Sequence, residues 1–130
     1  MNKAVEEALV RRLKNETEII AVWGLGSAFS GSMRADSDLD LAVLYDFSFE
    51  SDWERRGALI ADLEIIAGRA VDMGRLSTRS LIYAYQAVST GHLLYSRNPQ
   101  AVDRFVGLVF SLYADLRSDR KVVEEAYCAR

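Results

Sequence analysis

The chain has 130 residues, half of them hydrophobic and 27% charged, an ordinary globular composition long enough for one core. Its formal net charge of −3 argues against a nucleic-acid binder that relies on a broad basic footprint, and no direct nucleic-acid partner is expected. The single cysteine, Cys128, cannot form an internal disulfide, and neither a leader pattern nor a membrane-length apolar run occurs, so a cytoplasmic protein without membrane attachment is expected.

In chain order, Ala4 to Lys14 reads as a helix, with Val5, Ala8, Leu9 and Leu13 at 3–4 spacing and charges opposite. Glu18 to Trp23 is a short, β-branched, apolar run that predicts a buried strand ending near Gly24. Ser27 to Ser32 has the length of a single helical turn, and Arg34 to Ser37 reads as loop. Leu39 to Tyr45 predicts a second strand. Ser51 to Ala67 predicts a helix capped by Ser51 or Asp52, stopped by Gly68, with Trp53, Ile60, Leu63 and Ala67 on one face. A third strand is expected over Arg69 to Met73, closed by Gly74. Ser77 or Thr78 would start a helix to Thr90 with Leu81, Ile82, Tyr85 and Val88 inward, and His92 to Tyr95 reads as extended. Pro99 opens a final helix whose stripe runs from Val102 to Leu116, and on to Val123 and Tyr127 if the polar run Arg117 to Lys121 leaves it intact. No repeat, low-complexity segment or linker divides the chain, so residues 1–130 are read as one domain. The expected class is α/β (α+β), a small mixed β-sheet with helices packed on it.

The chemistry concentrates in two places. Asp38 and Asp40 stand at i and i+2 where the second strand begins, so both side chains share one face while Leu39, Leu41 and Val43 take the other. Aspartate is disfavoured in strands, and two neighbouring carboxylates repel unless a cation lies between them. Solvated residues at a strand start are the simpler reading, since D-x-D also arises by chance. Asp72, between apolar Val71 and Met73, would join the pair if the third strand lies beside the second; three such oxygens suit a hard cation such as Mg²⁺. Gly26-Ser27 follows an apolar strand, and a turn with free N–H groups there suits a phosphate, although a simple helix cap has the same sequence. The P-loop pattern is absent, and Phe29 stands where a dinucleotide fingerprint needs glycine.

Gly26-Ser27, ten intervening residues and then Asp38-x-Asp40 resemble the signature of the nucleotidyltransferase superfamily that includes DNA polymerase beta. The small chain looks most like its minimal nucleotidyltransferase members, the antitoxin partners of HEPN-domain toxins. Val71-Asp72 resembles the strand of the third carboxylate, and Gly91-His92-Leu93-Leu94-Tyr95 and Tyr113-x-Asp115 also look like this group. Where relatives usually carry Ala-Arg-Gly, this chain has Phe29-Ser30-Gly31, although Arg34 is within sequence reach.

The resemblance implies the nucleotidyltransferase fold and transfer of AMP from ATP. Asp38, Asp40 and Asp72 would be the catalytic and Mg²⁺-ligating residues, and Gly26, Ser27 and Ser37 the nucleotide-binding ones. The acceptor would be a tyrosine of a cognate HEPN-type ribonuclease toxin, silenced by AMPylation. Two other readings are an antitoxin acting by binding alone, to which the Phe29-Ser30 departure points, and a small-molecule nucleotidyltransferase of the aminoglycoside type. His92, the only histidine, reads as structural, Trp23 and Trp53 as core, and Tyr83 and Tyr85 as packing or partner contacts.

Overall fold

Two strongly apolar strands occupy the middle of the sheet in a computed structural model that describes residues 1–26, 29, 37–46, 50 and 52–128. Strand β1 (Ile19–Leu25) pairs antiparallel with β2 (Leu39–Tyr45), and the sheet order is β3–β2–β1–β4. The outer strands are β3 (Val71–Arg75), parallel to β2, and β4 (His92–Ser96), antiparallel to β1. The expected mixed sheet is therefore present. β1 and β2 are apolar on both faces because both faces are covered by helices.

Alternation along the strands divides the core in two. Val22, Leu39, Leu41, Val43, Val71 and Met73 pack with Leu9 and Leu13 of α1 (Lys3–Lys14) and Leu59 and Leu63 of α2 (Trp53–Ala67). Ala21, Trp23, Ala42, Leu44 and Leu76 pack on the other face with Ala84 and Ala87 of α3 (Leu81–Thr90) and Val102 and Val109 of α4 (Pro99–Cys128). Asn2 caps α1 by accepting from the Ala4 amide at 2.8 Å. Asp52 caps α2 through the Glu54 and Arg55 amides, and Gly68 ends α2 in the left-handed conformation.

Three expectations need correction, and one point that the sequence leaves open is resolved. β3 does not stop at Gly74: pairing with β2 continues through Ala42↔Gly74 and Val43↔Arg75. Thr78–Ser80 forms a 3₁₀ turn before α3, and Ile82 is 56% exposed while Ala84 and Ala87 face the sheet. Trp53 is 80% exposed, since the first turn of α2 lies beyond the edge of the core. Helix α4 runs unbroken through the polar stretch, but its last apolar residues cover nothing: Val123 and Tyr127 are exposed. A helix of 30 residues rises about 45 Å, longer than the sheet it packs on. The expected turn at 27–32 lies outside the described residues apart from Phe29. No described helix is long and apolar enough to cross a membrane.

One buried charge network ties the first face together. Glu16, 6% exposed in the turn between α1 and β1, accepts from Arg12 at 3.0 Å and pairs with Arg55 of α2 at 3.0 Å. Arg12 also reaches Asp62 at 2.7 Å, and Arg55 reaches Glu18 at 3.3 Å. Arg97 donates to the carbonyls of Lys14, Glu16 and Thr17, satisfying the acceptors that the end of α1 leaves open. Removing Glu16 takes away the buried acceptor that both arginines share and leaves Arg12 to Asp62 and Arg55 to Glu18. Glu16→Ala is expected to lower unfolding stability by about 2–3 kcal/mol in urea titrations, with Glu16→Gln losing less.

Candidate active site

Strand register assembles the site. Leu25 of β1 pairs with Asp40 of β2, and Asp40 pairs with Asp72 of β3, so three neighbouring strands end at one edge. Paired residues share a face, and residues two apart do so again. Ala42 and Leu44 lie in the α3/α4 core, and Asp40 and Asp72 stand on that same face where helical cover ends. Asp38 lies one pleat step before Asp40, ahead of the strand, and is exposed. The cleft in front of the pair has a volume of about 460 Å³ and is lined by Leu25, Asp40, Leu41, Asp72, Gly74, Arg75 and Tyr83.

The glycine half of the site lies against the carboxylates. Gly26 has φ +78°, and a Cβ there would stand 3.7 Å from Asp40 Oδ2. Its backbone thus turns beside the aspartate in a conformation that disfavours side chains. Ser27 falls outside the described residues. Ser37 is half-buried directly before Asp38, and its carbonyl accepts from Arg69 at 3.2 Å, which fixes the approach of the chain to β2. The Leu39 amide donates to the Ala70 carbonyl at 2.8 Å, locking the starts of β2 and β3 together.

Phe29 and His92 belong to the scaffold of this edge. The Phe29 ring lies over Gly24, where a Cβ would approach it to 2.3 Å, and stacks on His92 with centroids 5.8 Å apart. His92 Nε2 meets Glu6 of α1 at 3.2 Å. Phe29, where the sequence departs from the expected pattern, therefore packs against the edge of the sheet.

Sequence reading assigned Tyr83 to packing and missed its place in the cleft. Its hydroxyl stands 2.2 Å from where a Cβ of Gly74 would be, so it occupies the side-chain space of that strand position. Gly74 is two residues beyond Asp72 on the same face. The periodicity contained a hint: Tyr83 precedes sheet-facing Ala87 by one helical turn.

Electrostatics separate Asp40 from ordinary carboxylates. Burial first, then the charges of Asp72 and Asp38, push its carboxyl above the usual value. Among the described residues no group of three or more His, Cys, Asp and Glu side chains is close enough to enclose a metal ion. Two neighbouring carboxylates at an open edge nevertheless suit Mg²⁺. That ion keeps several waters and usually takes one or two protein carboxylates plus substrate phosphates. Asp40 and Asp72 would hold it, with Asp38 in reach of the same edge.

Two predictions follow from this geometry. The native state holds the Asp40 proton more tightly than the unfolded chain, so ionising Asp40 costs stability. The metal-free protein should lose stability as pH rises above the ordinary aspartate value of 3.8. Asp40→Asn should flatten that slope and raise the melting temperature near neutral pH, while Mg²⁺ should raise it for the native sequence only; thermal unfolding between about pH 4 and pH 7 measures both. Gly74→Ala should displace the Tyr83 ring at a cost of about 1–2 kcal/mol, and adding Tyr83→Ala should cost less than the sum of the two changes.

Comparison with known proteins bears on the family and the fold. The polymerase beta, nucleotidyltransferase family matches residues 7–100. Curated proteins give no match. The fold is similar to that of the toxin–antitoxin MntA–HpeT in a variant with two aspartates changed to glutamate (TM-score 0.76, 22% identity, 97% of this chain and 98% of that one). It is also similar to a toxin–antitoxin structure with AMP-PNP (TM-score 0.72, 25% identity, 97% and 98%). A third is tri-AMPylated Shewanella oneidensis HEPN toxin in complex with MNT antitoxin (TM-score 0.71, 23% identity, 97% and 98%). With the family match spanning most of its length and the carboxylate edge in its sheet, this chain belongs to the polymerase beta nucleotidyltransferase family.

Proposed function

We propose that this protein is an Mg²⁺-dependent nucleotidyltransferase that moves AMP from ATP onto a tyrosine hydroxyl of a HEPN-type toxin, and so acts as its antitoxin. The observation that carries the reading is the pairing of Asp40 with Asp72 beside the Gly26 turn. It puts two carboxylates and an exposed backbone turn at one edge of a cleft. Among the similar structures, one is named with AMP-PNP and one with an AMPylated HEPN toxin beside its MNT antitoxin. In the MntA–HpeT variant the two exchanged aspartates are two positions apart, as Asp38 and Asp40 are.

Each part of the site then has a task. Gly26 and Ser27 would bind the phosphates through backbone N–H groups and a hydroxyl, with Ser37 beside them on the approach to β2. Asp40 and Asp72 would hold the metal, with Asp38 beside them just ahead of β2. Bound Mg²⁺ neutralises the charge that builds on the triphosphate as pyrophosphate departs. Asp72, exposed at the outer strand, would accept the proton of the incoming hydroxyl.

The test is label transfer from ATP to the purified cognate HEPN partner in the presence of Mg²⁺. Transfer is expected with the native chain and should fall about a hundredfold or more for Asp38→Ala or Asp40→Ala. Native protein that transfers no label, or variants that transfer normally, would sink the reading. If Asp38→Ala protein still silences the toxin without label, neutralisation works by binding alone.

A further inference from the structure

The hydroxyl of Tyr83 is not explained by packing. Its ring is half-buried against the α3/α4 core, a role phenylalanine would fill equally well. Its oxygen instead lies over Gly74 and inside the cleft that holds Asp40 and Asp72. Only a glycine at position 74 leaves room for it, so strand and helix are fitted to each other at this point. No other described residue takes a hydrogen bond from this hydroxyl.

Resting on the reading that a hydroxyl acceptor enters beside Asp72, we propose that Tyr83 is an acceptor-binding residue whose hydroxyl donates a hydrogen bond to the attacking oxygen. The chemistry of the wall supports one direction for that bond. A phenol is neutral at working pH and can donate its hydrogen. The carboxylates offer only acceptors. An incoming hydroxyl needs both an acceptor for its proton and a donor for its oxygen, and Asp72 and Tyr83 supply them from adjacent positions along one face.

The step balances without further reactants. The acceptor oxygen forms a bond to the α-phosphorus of ATP, and the bond from that phosphorus to the bridging oxygen breaks. Pyrophosphate leaves with that electron pair, and the acceptor proton passes to the Asp72 carboxylate and on to water. Tyr83 keeps its own proton throughout. Its hydrogen bond fixes where the attacking oxygen sits, and so which acceptors align.

The experiment compares native protein and Tyr83→Phe in three measurements: steady-state transfer to the HEPN partner, calorimetric binding of AMP-PNP, and thermal unfolding. The expected result is a fall of about tenfold or more in kcat/KM for the acceptor, with AMP-PNP affinity and melting temperature unchanged. A mere packing role would leave kcat/KM unchanged in Tyr83→Phe, a structural role of the hydroxyl would lower the melting temperature, and a nucleotide-binding role would weaken AMP-PNP in step with activity; any of these patterns overturns the proposal. Equal kcat/KM in the two proteins overturns it and leaves the transferase reading intact. A native chain that transfers nothing removes both.

Discussion

The register of three strands is the constraint on which the rest depends. Leu25 faces Asp40 and Asp40 faces Asp72, so the Gly26 turn and two carboxylates arrive at one edge without any side chain reaching for another. A slip of one residue in either pairing would turn an aspartate into the α1/α2 core, where Leu39, Leu41 and Val43 now lie. The apolar packing that sets the register therefore sets the site as well. Leu39 N–H bonded to Ala70 and Arg69 bonded to Ser37 hold the entrance to β2 at the same point.

The two faces of the sheet have different work. The α1/α2 face is bound by large aliphatic side chains and by the Glu16 network with Arg12 and Arg55. The α3/α4 face uses small residues near the sheet, Ala42, Ala84 and Ala87, which bring α3 close to the strands. That close approach lets Tyr83 reach over Gly74 and form the inner wall of the cleft. Where α3 and α4 no longer cover the sheet, the aspartates are left at the boundary between core and water.

Such a boundary costs stability in the free protein. Asp40 is partly desolvated beside Asp72 and Asp38, an arrangement of like charges that folding alone would not favour. Functional sites often retain local conflicts of this kind, which a bound ligand relieves. Phe29, stacked on His92 and seated on Gly24, adds aromatic packing at the same end of the sheet.

Sequence alone determined that the four long helices form and where β2 runs to the residue, and it singled out Asp38, Asp40 and Asp72 as candidates. Each is written in local periodicity or in the cost of placing aspartate in a strand. It could not determine that Gly74 continues β3, because only pairing with Ala42 and Val43 outweighs the turn preference of glycine. It misplaced Trp53 and Ile82, since periodicity tells which residues share a helix face and not where the core ends. The tertiary structure decided that Asp40 meets Asp72 and that Tyr83 joins them. Asp40 and Asp72 come from separate strands and Tyr83 from a helix, and only a sheet register and a helix packed across it bring them together.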